Sequence, residues 1–206
     1  MLHKKIESIL PLVQKPARYT GGELNSVVKD KNNVDIRFAF CFPDTYEIGM
    51  SHLGLKILYG LINSKENYWC ERVFAPDTDM EEVMRKNNIP LFGLESHDSL
   101  KDFDAVGFTL QYELSFSNVL NMLDLAGIPV RSENRGDSLK DNPIIVAGGP
   151  CVVNPEPLAD FIDCFQIGEG EEMMIDFLDL LNEYKKKNAT RKEFLRRVLE
   201  LEVKTG

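Results

Sequence analysis

Apolar positions recur along this chain in short blocks, and their period switches between two and about 3.6 residues. VDIRFAFCF (34–42) alternates and then becomes nearly continuously apolar, which predicts a buried strand. EIGMSHLGLKILYGLIN (47–63) instead sets Ile48, Leu55, Leu58, Tyr59 and Ile62 on one helical face. WCERVFA (69–75) predicts a second strand, and DMEEVMRKNN (79–88) a short helix with an aspartate at its N-cap. LFGLES (91–96) reads as a weaker strand, HDSLKDF as a helical turn and AVGFTL (105–110) as a strand. LSFSNVLNMLDLAG (114–127) predicts a helix ended by Gly127, followed by a brief extended IPVR. PIIVAGG (143–149) is a strand entered through a proline, PLADFID one or two helical turns, and CFQIG (164–168) the last strand. EEMMIDFLDLLNEYKKK (171–187) is an amphipathic helix with acids in its first turn and lysines in its last, and a final helix runs from about Thr190 to Val203.

Strands that alternate with helices, several of them apolar throughout, imply a parallel sheet covered on both faces. The expected fold is therefore α/β and doubly wound, mostly parallel, with Rossmann-like or flavodoxin-like topology. Residues 1–30 read as a peripheral lead-in, because the Pro and Gly-Gly of KPARYTGGELN prevent a long helix. Residues 31–188 form the main domain and 189–206 a C-terminal helix leading away from it.

Composition narrows the classes. The chain has 206 residues, 43% hydrophobic and 28% charged, a globular mixture sized for one well-buried domain. A net charge of −9 disfavours direct binding to phosphate backbones. The one dense basic stretch, YKKKNATRKEFLRR, reads as a solvated or interdomain face. No apolar run approaches the roughly 18–20 residues that span a bilayer, and the start lacks a signal-peptide cleavage pattern. Cys41, Cys70, Cys151 and Cys164 show neither CxxC spacing nor the three-cysteine cluster of an iron–sulfur centre. These features predict a cytoplasmic protein without disulfides, and with no membrane or nucleic-acid partner.

The unusual residues collect at strand ends. FPDTYEIGMSHLG, TLQYELS, AGGPCVVNPEP and GEGEE each follow a predicted strand, so all four converge on the carboxyl rim where open α/β sheets bind ligands. Taken singly, each has a plainer reading. Glycines after strands serve tight turns, and Glu171 and Glu172 suit a helix start. GxxxxGK[ST] is missing, and Gly168 and Gly170 are not part of a GxGxxG, so neither phosphate-loop nor dinucleotide chemistry is supported. His52 could serve as an axial metal ligand, but a lone histidine near a helix start is more often packed or hydrogen-bonded. No catalytic residue and no metal ligand is assigned.

Taken together, FPDTYEIGMSHLGLKILYGLIN, VGFTLQYELSFSNVLNMLDLAGIPV and IIVAGGPCVVNPEPLADFIDCFQIGEGEE resemble the N-terminal domain of radical S-adenosylmethionine proteins that carry a cobalamin-binding domain. The resemblance covers roughly 34–185. It implies a corrinoid lying on the rim of the sheet, with its nucleotide tail running down beside it. The corresponding cofactor-binding positions are Pro43, Glu47 and Gly49; Thr109, Leu110, Gln111, Tyr112 and Glu113; Gly148, Gly149, Pro150, Cys151 and Asn154; and Gly168, Glu169 and Gly170. Here glycines would let backbone approach a flat ligand, and prolines would hold the loop open.

Two departures qualify this. The cobalamin motif DxHxxG is absent around His52, so any cobalamin would bind without a histidine axial ligand. The CxxxCxxC that holds a [4Fe–4S] cluster and cleaves S-adenosylmethionine in the following barrel is also absent. That chemistry is expected only in a C-terminal region, with the barrel of the same parent protein as partner, and the chain reads as an N-terminal piece. The alternatives are a corrinoid-free scaffold that keeps the fold to dock a barrel or partner protein, and an independent flavodoxin-like or nucleotide-binding protein.

Overall fold

The apolar run near the start of the main domain does become a strand, β1 (Ile36–Phe42), with every residue buried. The computed structural model describes residues 2–201. Four further strands follow: β2 (Tyr68–Phe74), β3 (Ala105–Thr109), β4 (Ile144–Gly148) and β5 (Cys164–Phe165). All pairings are parallel and the order is β2-β1-β3-β4-β5. This is the doubly wound, flavodoxin-like arrangement, and the winding reverses between β1 and β3.

The helices are α1 (Leu2–Ile9), α2 (Tyr46–Ser51), α3 (Leu53–Asn63), α4 (Thr78–Lys86), α5 (Phe116–Leu125), α6 (Gly170–Lys186) and α7 (Arg191–Leu201). Strand alternation sorts them onto two faces. Ala39, Cys41, Val106 and Ile145 meet α1, α4 and α5, with Ile6, Ile9 and Val13 of the lead-in buried there. Phe38, Phe40, Ile144 and Val146 meet α3, α6 and α7, where the rings of Phe177 and Phe194 lie 5.6 Å apart. Among the described residues no helix is long and apolar enough to cross a membrane.

Several elements differ from the sequence pattern. The helix expected over 47–63 divides at His52, whose extended backbone (φ −77°, ψ 118°) closes α2 and opens α3. Its Nδ1 accepts the Leu55 N–H at 3.1 Å, so His52 caps α3. Ile48 is left half-exposed on α2, while Leu55, Tyr59 and Ile62 are buried. The cap of α4 is Asp77, whose side chain accepts from the Thr78 N–H, rather than an aspartate within 79–88. The last strand is two residues long, not five, and the part of the final helix beyond Leu201 lies outside the described residues.

LFGLES forms no strand. Phe92 makes an isolated antiparallel bridge to Ser99, and the segment instead covers the outer edge of β2. The Leu94 N–H donates to the Arg72 carbonyl at 2.9 Å. The Glu95 carboxylate accepts the Arg72 N–H at 2.8 Å, and Glu71 accepts the Ser96 N–H at 2.9 Å. Edge donors that a ladder would use are thus satisfied by carboxylates.

Candidate functional site

Two strand positions facing α3 and α6 carry no side chain: Gly107 in β3 and Gly148 at the end of β4. The helices above them carry glycine in their first turns, Gly54 in α3 and Gly170 in α6. A pocket of about 210 Å³ opens at the carboxyl end of the sheet above Gly148, whereas the Phe38 ring takes the space over Gly107. Phe40, Gly107 and Val146 form its floor, Leu58 and Met174 stand on its helical walls, and Thr109, Gln111, Gly149 and Gly168 line its mouth. It lies beside the β1/β3 reversal, where ligands of this topology bind.

Polar groups in the pocket are few. Thr109 is buried and its Oγ1 accepts from Gln111 Nε2 at 2.6 Å. Gln166 lies two residues past Cys164 and so faces the same inner side of the sheet. It is 9% exposed and lines the pocket, and among the described residues its amide makes no hydrogen bond. Its amide is therefore open to bond a ligand in the pocket. At the mouth α6 begins with no side-chain cap, so the orphan N–H groups of its first turn gather there with the positive end of its dipole. Glu171, in that turn, places a carboxylate beside them and opposes a phosphate. On the α3 wall, the capping bond to Nδ1 leaves the neutral His52 ring with its proton on Nε2. The ring lies tilted against Phe42, with centroids 5.3 Å apart.

Above the pocket the rim is apolar. Among the described residues eleven large apolar side chains are exposed, and six border the rim: Ile48 on α2, Leu53 at the start of α3, and Tyr112, Leu114, Val153 and Ile167. Such a concentration marks a surface that meets a flat ligand or a partner. The crevice at the reversal is bridged: Tyr112 donates to Asp44, and Asn118 Nδ2 donates to the Pro43 carbonyl at 2.9 Å.

The structure gathers Thr109, Gln111, Gly148, Gly149, Gly168 and Gly170 at the pocket. The other positions singled out in the sequence lie elsewhere. Pro43 is engaged with Asn118, and Glu47 is held outside by Arg18 at 2.9 Å and Lys15 at 3.4 Å. Gly49 is buried under the Phe74 ring. Leu110 is buried in the core on the opposite face. Tyr112, Glu113, Pro150, Cys151, Asn154 and Glu169 sit in the rim loops outside the pocket. Burial, with Glu113 nearby, pushes the Cys151 thiol up.

Gly149 has a different task from the one the sequence suggests. Its φ is +100°, and a Cβ would stand 2.9 Å from the Leu110 carbonyl oxygen and 3.0 Å from the Leu110 nitrogen. The close approach there is between two loops of the chain itself, fastened by Leu110 N–H to Gly148 O at 2.8 Å and Cys151 N–H to Leu110 O at 3.1 Å. Sequence reasoning also left out Gly107, Gln166 and Met174. A polar Gln at an inward-facing register was the available signal for one of them.

The family described as the N-terminal part of radical SAM proteins matches residues 54–204. An uncharacterized protein of Methanocaldococcus jannaschii, MJ0966, is 31% identical over 146 residues, covering 68% of this chain and 26% of the relative. The match thus spans about a quarter of that relative's length. With three quarters of its length inside the family match, and a sheet whose glycine-lined pocket opens at the carboxyl rim, this chain belongs to the radical SAM proteins as an N-terminal domain.

Proposed function

We propose that this domain holds a corrinoid for the radical SAM barrel of a longer protein, with the corrin on the apolar rim and the nucleotide tail in the glycine-lined pocket. The observation that carries this reading is the pocket itself, a recess of about 210 Å³ that is open above Gly148, where an added Cβ would meet only the Gln166 carbonyl oxygen at 3.8 Å. It is smaller than the about 300 Å³ at which drug-sized ligand sites begin. A planar base fits its volume, whereas the macrocycle must stay outside, where Leu53, Leu114 and Val153 are exposed. Gln166 and the Thr109 hydroxyl offer hydrogen bonds to the edge of such a base. When bound, a corrinoid supplies a cobalt centre able to carry a methyl group or exchange electrons. The chain's own residues bind and orient it. His52 keeps its Nδ1 on the Leu55 N–H, so a bound corrinoid would not draw on that nitrogen.

A second reading has its own support. The Tyr112–Asp44 and Asn118–Pro43 bridges close the reversal crevice, as suits a corrinoid-free module whose apolar rim packs directly on the barrel. Titration with hydroxocobalamin and with cobinamide, which lacks the nucleotide tail, separates the two. Corrinoid binding predicts micromolar affinity for hydroxocobalamin and roughly tenfold or weaker binding of cobinamide. Gly148→Leu, where a Cβ meets only the Gln166 carbonyl at 3.8 Å, fills the pocket without straining the backbone and should erase the preference. Failure of both compounds to bind leaves the docking module.

A further inference from the structure

One edge of the sheet is closed by its own chain and the other is open. Along β2, residues 93–96 cover the edge and satisfy the Arg72 carbonyl and N–H. Among the described residues no strand pairs with β5 on its outer side. In its place a groove of about 720 Å³ runs between β5, α6 and α7, several times larger than the pocket at the rim. Ile167, Phe177, Leu195, Val198 and Leu199 give it apolar walls, with Ile167 52% and Leu199 66% exposed. Glu133, Asp176, Lys192 and Arg196 also line it, a mixed-charge border. An open edge beside an apolar groove is the arrangement that accepts an added strand: main-chain groups pair, and alternate side chains enter the groove.

We propose that the first extended stretch of polypeptide following this domain in full-length radical SAM proteins adds to the free edge of β5 and fills this groove. The family is by its description the N-terminal part of longer proteins, and the match spans 26% of the Methanocaldococcus relative. Leu201, at the end of α7, lines the groove, so polypeptide leaving α7 starts beside it. A tether that short holds its target at about millimolar effective concentration, enough to favour a modest strand pairing. A second copy of the chain is the weaker candidate. β5 offers it only two strand residues, little ladder toward the roughly 1,600 Å² of a standard interface. The proposal does not depend on corrinoid binding: Gln166 borders both the groove and the rim pocket, but Leu195, Val198 and Leu199 of α7 line the groove alone.

Hydrogen exchange read by mass spectrometry on a full-length protein bearing this domain tests it. The amides of 164–167 should be protected as strongly as those of β4. Leu199→Glu should raise their exchange by about tenfold or more while β1 and β3 stay protected, which shows the fold is intact. Exchange at exposed-loop rates in the unmodified protein overturns the proposal. Protection unchanged by Leu199→Glu also overturns it. Protection that disappears on dilution together with a dimer overturns it in favour of a second copy.

Discussion

Tyr112 donates its phenol hydrogen to the Asp44 carboxylate, joining the loop after β3 to the loop after β1 across the point where the sheet's winding reverses. That bond, with some burial, raises the Tyr112 pKa above its usual 10.0. The neutral phenol is the form that donates, so the stability it adds is complete below the ordinary tyrosine range and is lost as pH rises through the higher folded value. Tyr112→Phe should therefore lower stability at pH 7, by less than about 1 kcal/mol because the pair is exposed. The deficit should vanish in strongly alkaline buffer. Urea denaturation of both proteins across that range checks it.

Adjacent glycines at the end of β4 should respond oppositely to alanine. At Gly149, the φ of +100° and the Leu110 backbone within 3.0 Å of a Cβ leave no room for a side chain. Gly149→Ala should cost about 1–3 kcal/mol. At Gly148 a Cβ meets only a carbonyl at 3.8 Å, so Gly148→Ala should leave the urea midpoint nearly unchanged. Equal losses at both positions would mean that the turn is held by something other than this approach.

The sheet is legible in the chain because β1, β3 and β4 are apolar runs that end in turn residues. The rim is legible because strand direction alone brings the turns together. The pocket is much less so. Its floor and walls are residues that read as ordinary core, such as Phe40, Val146 and Met174, and its lining includes Gly107, a mid-strand glycine whose inward register only the sheet reveals. The break at His52 depends on a side-chain cap, which helical periodicity does not register. Glu71 and Arg72 within β2 are a charged pair buried at an edge of the sheet, an edge not read from the sequence. That their polar partners lie in 93–96 is a tertiary fact.

Those edge residues also titrate in opposite senses. Burial pushes Glu95 up to about 7 against the pull of Arg72. Glu23, on the same guanidinium, and Asp98, on Arg37 and Lys31, are held below the usual carboxylate range. For Glu95 the folded state binds the extra proton, so its contribution falls as pH rises from about 4.5 to about 7 and is constant above. Glu23 and Asp98 contribute stability that is present above the normal carboxylate range and lost in acid. The stability advantage of the wild type over Glu95→Gln should therefore shrink between pH 5 and 7, whereas that over Asp98→Asn should grow as pH rises out of the acid range. Denaturation midpoints in a pH series give both slopes.

The largest loss should come from Asp163, which precedes β5 and is 1% exposed on its side chain. It faces two buried guanidiniums, Arg135 at 3.1 Å and Arg191 at 2.8 Å, and accepts the Ile145 N–H at 2.7 Å. Arg135 is fully buried and also donates to the carbonyls of Pro129 and Val130, while Arg191 donates to that of Asn142. One carboxylate thus balances the charges that fasten the 129–143 segment and the start of α7 to the sheet. Asp163→Asn keeps the size and an acceptor for Ile145 but removes the only carboxylate paired with either arginine among the described residues. Two buried cations then face each other uncompensated, and breaking a buried pair in this way costs about 3–5 kcal/mol. Asp98→Asn, whose carboxylate is partly exposed, should cost far less. If thermal unfolding shows the two substitutions to be equally mild, water reaches the arginines and the buried balance of charge does not hold this edge together.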